Sequence, residues 1–95
     1  MLIKKTEIFT KWFDHLKDRR AKIIINQRIV RVADGLLGDF KSVGNGVSEL
    51  RINYGPGYRV YCTIRGNEMI ILLCGGDKSS QQEDIDIAKK IAKEF

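Results

Sequence analysis

Apolar residues in the first third of the chain recur at helical spacing, in two stretches on either side of a short polar segment. The first stretch follows Thr6, a predicted N-cap, and the second follows Asp18, another predicted N-cap. Gly35 is suited to end the second helix. The pattern therefore predicts a helical hairpin, preceded by a short edge strand at residues 2–5. The apolar positions are Ile8, Phe9, Trp12, Phe13 and Leu16 in the first helix, and Ala21, Ile25, Ile29, Val32 and Leu36 in the second.

The middle of the chain alternates between apolar and polar side chains, as in a β-hairpin with one buried face. Gly55-Pro56-Gly57 predicts the turn between strands at 47–54 and 58–65, and residues 37–46 predict a glycine-punctuated connection before the hairpin. Residues 68–74 are apolar without alternation, which is typical of a central strand covered on both faces. The apolar side of the hairpin, against which the helices are expected to pack, is Leu50, Ile52, Val60, Cys62 and Ile64.

The last segment predicts a third helix with well-marked ends. Ser80 and Glu83 have the spacing of a capping box, and lysines near the end of the segment complement the helix dipole. Its narrow apolar stripe suits either packing on the sheet or release to a partner, and the pattern leaves both open. The whole pattern predicts one α+β domain over residues 1–95: two N-terminal helices on a small, mainly antiparallel sheet, with a C-terminal helix.

Charge is unevenly distributed along the chain. The net charge is +5, and residues 1–34 hold all of the surplus. A basic surface attracts polyanions, of which nucleic acid is the commonest in the cytoplasm. The N-terminus lacks the apolar region of a signal peptide, which predicts a cytoplasmic protein. The longest apolar run, Met69 to Cys74, is too short to span a bilayer, so no membrane partner is expected.

Few residue types are available for chemistry. Cys62 and Cys74 are expected to be reduced core thiols, and His15, the only histidine, is expected at the surface or boundary. The spacing of these residues predicts neither a metal site nor a cofactor. Any reaction would have to use Arg, Lys, Glu and Tyr side chains. Such a set suits phosphodiester chemistry on RNA, where the 2′-hydroxyl is itself the nucleophile.

The polar face of the hairpin is rich in arginine. Arg51 and Arg59 flank the turn as predicted cross-strand neighbours, and a phosphate between them would relieve their repulsion. The alternative is a surface salt bridge from Glu49 to one arginine, worth about 0–1 kcal/mol. Beyond the sheet, two glycines place Lys78 where helix N–H groups also point, which predicts either an anion-binding corner or a capped turn. The polar face, expected to be exposed, is Glu49, Arg51, Arg59, Tyr61 and Arg65.

Two segments resemble a known family. GVSELRINYGPGYRVY and LLCGGDKSSQQEDIDIAKKIA resemble the RelE/ParE toxin superfamily, and within it the addiction module killer protein group, which is close to HigB-type toxins. The resemblance covers nearly the whole chain and implies the toxin of a bacterial type II toxin–antitoxin module. RelE-like members cleave mRNA in the ribosomal A site and leave a 2′,3′-cyclic phosphate. The implied partners are the ribosome, mRNA and a cognate antitoxin, expected to be a small helix-turn-helix protein.

The resemblance also implies catalytic roles. Arg59, in the GYR motif, matches the arginine that holds the scissile phosphate, and Lys78 matches the arginine that stabilises the phosphorane. Arg51 and Glu49 fall where RelE has two strand lysines. A carboxylate at position 49 can in principle accept the 2′-hydroxyl proton, with a neighbouring arginine keeping it ionised.

Further residues are assigned to RNA binding. Tyr61 and Arg65 complete the implied phosphate cradle, and Arg19, Arg20 and Lys22 on the second helix are expected to contact the ribosome. The chain departs from RelE because residues 79–95 contain no Tyr or His, which leaves the general acid unassigned. Two alternatives share the fold: a ParE-like inhibitor of DNA gyrase without nuclease activity, and a non-catalytic member that only binds its antitoxin.

Overall fold

A computed structural model describes all 95 residues as three helices and a five-stranded sheet. The helices and strands in chain order are β1 (Leu2–Lys5), α1 (Glu7–Asp14), α2 (Arg19–Ala33), β2 (Phe40–Gly44), β3 (Val47–Ile52), β4 (Tyr58–Arg65), β5 (Met69–Gly76) and α3 (Gln81–Ala92). A single 3₁₀ turn, Lys78–Ser80, joins β5 to α3. No helix has the length and apolar character needed to cross a membrane. The predicted α+β architecture is confirmed.

The strands lie in the order β1-β5-β4-β3-β2. β1 runs parallel to β5, and every other neighbouring pair is antiparallel. The predicted central strand, β5, is buried along most of its length, as its continuous apolar run requires. The glycine-punctuated connection predicted over 37–46 contains a strand that was not predicted, because residues 40–44 form the edge strand β2. Glycines at positions 38, 44 and 46 are typical of a loop and obscured this strand in the sequence. Its pairing with β3 includes a register shift between Ser42 and Gly44.

The helical hairpin packs on the predicted apolar face of the sheet. Thr6 and Asp18 cap α1 and α2 as expected: the Thr6 hydroxyl accepts from the Phe9 N–H at 3.0 Å, and the Asp18 carboxylate accepts from the N–H groups of Arg20 and Ala21. Leu36, in contrast, lies beyond α2 and is exposed. The main core consists of Phe9, Ala21, Ile25, Ile29, Val32, Ala33, Leu50, Ile52, Val60, Cys62, Ile70 and Leu72.

The third helix covers the opposite face of the sheet, so packing rather than release describes this state of the chain. A second, smaller core lies beneath it: Val47, Tyr61, Ile71, Leu73, Cys74, Ile85 and Ala88. The predicted capping box is wrong. The Ser80 hydroxyl donates to the Asp84 carboxylate at 2.6 Å instead of capping the helix. Asp77 caps the preceding 3₁₀ turn, accepting from the Ser79 N–H at 2.8 Å.

Two adjacent glycines at the end of β5 let a helix approach each face of the sheet. A β-carbon at Gly75 would overlap the Trp12 ring on α1, whereas one at Gly76 would overlap the Asp84 carboxylate on α3. Both glycines are therefore needed for close packing, not for an unusual backbone angle. They also set the position of the turn that carries Lys78.

Candidate active site

A cleft of about 270 Å³ lies where β3 ends, β4 begins and the 3₁₀ turn crosses above them. It holds three cationic side chains and a single acidic one. The residues that line it are Asp39, Arg51, Ile52, Asn53, Gly57, Tyr58, Arg59 and Lys78.

Strand pairing brings the two arginines together. Arg51 and Arg59 are direct partners in the antiparallel register of β3 and β4, as the turn position predicted. Gly57 has a φ of +79°, which glycine adopts without strain, and it lies against Lys78 of the 3₁₀ turn. A β-carbon on Gly57 would stand 3.4 Å from the β-carbon of Lys78. The hairpin turn and the β5–α3 turn therefore approach closely enough to place all three cations around one space.

A buried carboxylate stands behind the two arginines. Glu49 Oε1 accepts a hydrogen bond from Arg51 Nε at 2.7 Å and lies 3.8 Å from Arg59 Nε. Its other oxygen, Oε2, accepts from Gln81 Nε2 on α3 at 3.0 Å. Burial by itself would raise the pKa of Glu49, but the hydrogen bonds from Arg51 and Gln81 and the charge of Arg59 outweigh it and lower that pKa. The carboxylate therefore stays ionised and fixes both guanidinium groups.

Arg59 retains unused hydrogen-bonding capacity. Its side chain is only 12% exposed, and its Nη1 atom is buried without a hydrogen-bond partner. A buried charged donor without an acceptor is costly, and such groups in native proteins call for an explanation. Arg59 also lines the cleft, where a phosphate oxygen would be an acceptor for its guanidinium group. The geometry therefore suits an anion held by Arg59, with Arg51 and Lys78 on either side.

The match to the family described as phage-derived protein Gp49-like spans residues 11–93. The chain belongs to this Gp49-like family. It is also 52% identical over 93 residues to an uncharacterised protein of Haemophilus influenzae, covering 98% of this chain and 94% of that protein. The relative extends the likeness to almost the full length of the chain.

Solved structures show the same fold at low sequence identity. This Gp49-like chain matches a double arginine-to-alanine variant of the E. coli toxin RelE in the free state with a TM-score of 0.74 and 14% identity, over 95% of this chain and 96% of that one. It matches a chain of the intact E. coli RelBE toxin–antitoxin complex with a TM-score of 0.67 and 11% identity, over 80% and 94% of the two chains. The RelE-like fold that the resemblance implied is confirmed.

The expectation that the whole polar face is exposed was wrong. Glu49 and Tyr61 are completely buried beneath α3, and neither lines the cleft. Burial, followed by the negative charge of Glu49, raises the pKa of Tyr61, and its hydroxyl has no hydrogen-bond partner. Alternation predicted which face of the strands these side chains occupy. It carried no information on whether a helix covers that face.

The remaining predicted RNA-binding residues lie outside the cleft of this Gp49-like protein. Arg65, at the far end of β4, donates through Nη2 to the main-chain oxygen of Phe95. Arg19 and Arg20 are exposed at the start of α2, and Lys22 Nζ donates to the main-chain oxygen of Asp14 at 3.1 Å. The structure thus brings together Arg51, Arg59 and Lys78, with Glu49 behind them, and leaves the other five elsewhere.

Four residues at the site were not predicted. Tyr58 and Asn53 line the cleft, Asp39 supplies its only acid, and Gln81 binds the buried carboxylate. Tyr58 could have been predicted as a site residue because it directly precedes Arg59, but alternation assigned it to the opposite face of the strand. It packs edge-on against Trp12, with ring centroids 6.3 Å apart, and still reaches the cleft from the end of the strand. No group of three or more His, Cys, Asp or Glu side chains is placed to hold a metal ion.

Proposed function

We propose that this protein is the toxin of a type II toxin–antitoxin module and that it cleaves mRNA on the ribosome, in the cytoplasm. The observation that carries the proposal is the convergence of Arg51, Arg59 and Lys78 on one cleft. Guanidinium groups match phosphate oxygens in pairs, and a lysine adds a compact positive charge. The membership of a RelE-like family supports the same conclusion. The active unit is residues 1–95, as a single domain.

In this reaction the RNA supplies its own nucleophile. The 2′-oxygen attacks the adjacent phosphorus, and the bond from phosphorus to the 5′-oxygen of the next nucleotide breaks. One proton leaves the 2′-hydroxyl and one is delivered to the 5′-oxygen, which leaves a 2′,3′-cyclic phosphate and a 5′-hydroxyl. Arg59 holds the non-bridging oxygens of the scissile phosphate. Arg51 and Lys78 stabilise the additional negative charge of the phosphorane, and donors aimed at developing charge typically supply the largest part of such catalysis.

We assign Glu49 a positioning role instead of the role of general base. Both of its oxygens are engaged, one by Arg51 and the other by Gln81, and the side chain is fully buried. A carboxylate in this position cannot approach a 2′-hydroxyl in the cleft without movement of α3. It can, however, hold two like-charged guanidinium groups side by side before the substrate binds. Such preorganisation lowers the cost of binding an anion.

The proposed partners follow from the same reaction. Ribosome-bound mRNA is the substrate, and a cognate antitoxin, a small helix-turn-helix protein, is the inhibitor. The E. coli RelBE structure is described as a toxin–antitoxin complex, and this chain has the fold of one of its chains. An antitoxin that covers the cleft would block access of RNA to Arg59 and Lys78.

In-vitro translation on purified ribosomes, with mapping of mRNA 3′ ends, tests this function. We expect new 3′ ends within the translated message, each bearing a 2′,3′-cyclic phosphate, and no such ends in the absence of ribosomes. Pulse-labelling in cells should show protein synthesis falling before DNA synthesis. The reverse order would favour a gyrase inhibitor and overturn the proposal. Intact message together with unimpaired growth would indicate a non-catalytic, antitoxin-binding protein.

A further inference from the structure

A second groove, of about 170 Å³, continues from the cleft across the end of β3 and along α2. It shares Arg51, Ile52 and Asn53 with the cleft, so the two form one trough. The part that belongs to the groove alone comes from one face of α2, since residues three, four and seven apart on a helix lie side by side. These residues are Ile24, Gln27, Arg28 and Arg31, and together with the three shared residues they define the α2 groove.

Arg28 is a structural part of the α2 groove. Its Nη1 donates to the main-chain oxygen of Leu37 at 2.6 Å, and its Nη2 donates to that of Asp39 at 2.7 Å. The same Asp39 oxygen accepts from the main-chain N–H of Arg51 at 3.0 Å. These bonds fix the connection after α2 to both α2 and β3. The groove is therefore preformed, which favours binding because little ordering remains to be done.

Three side chains of the α2 groove, those of Gln27, Arg31 and Asn53, are exposed and free to contact a ligand. Arg31 is exposed and takes part in none of the ion pairs in the protein. Gln27 and Asn53 present exposed side-chain amides. Ile24 is half-buried and supplies an apolar contact, whereas Ile52 is buried in the core. No acidic residue lines the groove. An apolar contact, two amide edges and a free guanidinium can bind the face, the edge and the phosphate of a nucleotide.

We propose that the α2 groove binds the nucleotide next to the scissile phosphate and selects its base. This inference rests on the proposed function, because the cleft supplies the scissile position. In it, the base packs on Ile24, the amides of Gln27 and Asn53 bond to its edge, and Arg31 binds its phosphate. Amide side chains pair best with adenine, which offers a donor and an acceptor side by side. Adenine is therefore the expected preference.

Mapping cleavage sites on ribosome-bound mRNA separates base selection from general binding. Gln27→Ala and Asn53→Ala should change the relative use of adenine-containing sites by at least about fivefold, the scale of one lost base-edge contact. Asn26→Ala removes an exposed amide on the same helix outside the groove, and should leave site use unchanged. Arg31→Gln should weaken cleavage at all sites and reduce its salt dependence, more than Arg19→Gln does. Unchanged site use in both amide variants would overturn the inference while leaving the proposed function in place.

A binding measurement tests the α2 groove even if the protein cleaves nothing. A trinucleotide with a 2′-O-methyl group in its central position cannot supply the nucleophile at that phosphate and serves as the probe. In an NMR titration, the side-chain amide signals of Gln27 and Asn53 should shift together with saturation, while those of Asn26 stay in place. Arg31→Gln should weaken this binding several-fold. If the amides of Asn26 and Gln27 respond equally, or if neither groove amide responds at millimolar trinucleotide, the groove is not a nucleotide site.

Discussion

The two faces of the sheet are built from the same strands but differ in the kinds of side chain that they bury. The face under α1 and α2 carries a core of twelve buried apolar residues and no buried charge. The face under α3 carries a core of seven residues and also encloses Glu49 and the unpartnered hydroxyl of Tyr61. Burying polar groups costs stability unless they are paired. The first face therefore provides most of the fold's stability, whereas the second gives up stability to hold charges in fixed positions.

This difference agrees with the proposed location of the active site. On the α1/α2 face, side chains are close-packed and a substitution acts through lost packing. On the α3 face, the main polar contacts run from α3 through Glu49 to Arg51 and Arg59, and end at the cleft. Substitutions there should change activity more than stability. The following predictions test that separation.

The largest expected effect is the loss of catalysis in Arg59→Ala. Removing a donor that stabilises transition-state charge typically costs about 2.7–4 kcal/mol of barrier, which is about 100- to 1000-fold in rate. Arg59→Lys should recover only part of the rate, because an ammonium group cannot make the paired contact of a guanidinium. Single-turnover cleavage of ribosome-bound mRNA measures both variants.

Two controls define the comparison for Arg59. Arg65→Ala removes an arginine from the same strand outside the cleft and should retain cleavage. Val60→Ala, on the buried α1/α2 face, should lower the melting temperature and retain activity below it. An Arg59→Ala variant that is folded and cleaves at the parental rate would show that the cleft is not the phosphate site.

Substituting either of the paired glycines at the end of β5 should have an intermediate effect on stability or cleavage. Gly75→Ala forces the Trp12 ring away from the sheet and should cost about 1–3 kcal/mol of unfolding free energy, as overpacking usually does. Gly76→Ala meets the Asp84 carboxylate, which can rotate away, so it should cost less stability. It should nevertheless slow cleavage, because the Ser80–Asp84 bond next to the Lys78 turn is lost.

Urea denaturation and cleavage assays on the two glycine variants, run in parallel, measure this difference. Equal losses of stability would mean that the α3 face is packed as rigidly as the α1/α2 face. Unchanged cleavage in Gly76→Ala would show that the cleavage rate does not depend on the position of α3.

The smallest expected effect is the pH dependence of stability, to which two carboxylates of the α3 face contribute with opposite signs. The pKa of Glu49 is lowered from its usual 4.5, so its contribution is complete above that pH and is lost as the pH falls through the lowered value. The pKa of Asp84 is raised from 3.8, chiefly by burial, so its contribution is present below that pH and is lost as the pH rises through the raised value.

Melting temperatures between about pH 3 and pH 7 test these signs. Glu49→Gln should flatten the loss of stability in acid, and Asp84→Asn should raise the melting temperature at neutral pH relative to the parent. A parental acid profile in Glu49→Gln would contradict the ion pairing of Glu49 with the arginines. A lower neutral melting temperature in Asp84→Asn would show that the hydrogen bond from Ser80 outweighs the cost of burying the charge.

Local patterns predicted most of the elements and part of the site. Capping by Thr6 and Asp18 could be predicted from the sequence because each cap bonds to residues two or three positions away. The pairing of Arg51 with Arg59 was readable because a short turn joins their strands. The edge strand β2 was missed, since its pairing with β3 depends on a bulge and glycines that resemble a loop. The capping box at Ser80 was mistaken because Asp84 competes for the same hydroxyl.

The amino-acid sequence by itself determined which side chains share a face of each helix and strand, because the helical and strand periods act over a few residues. It thereby placed Arg51 and Arg59 together and set Lys78 beyond β5. Only the tertiary structure decided that α3 covers Glu49 and Tyr61, that Arg59 retains an unpartnered nitrogen, and that α2 extends the cleft into a groove. These features depend on which elements meet across the sheet. Such contacts join residues far apart in the chain, and periodicity along the chain carries no record of them.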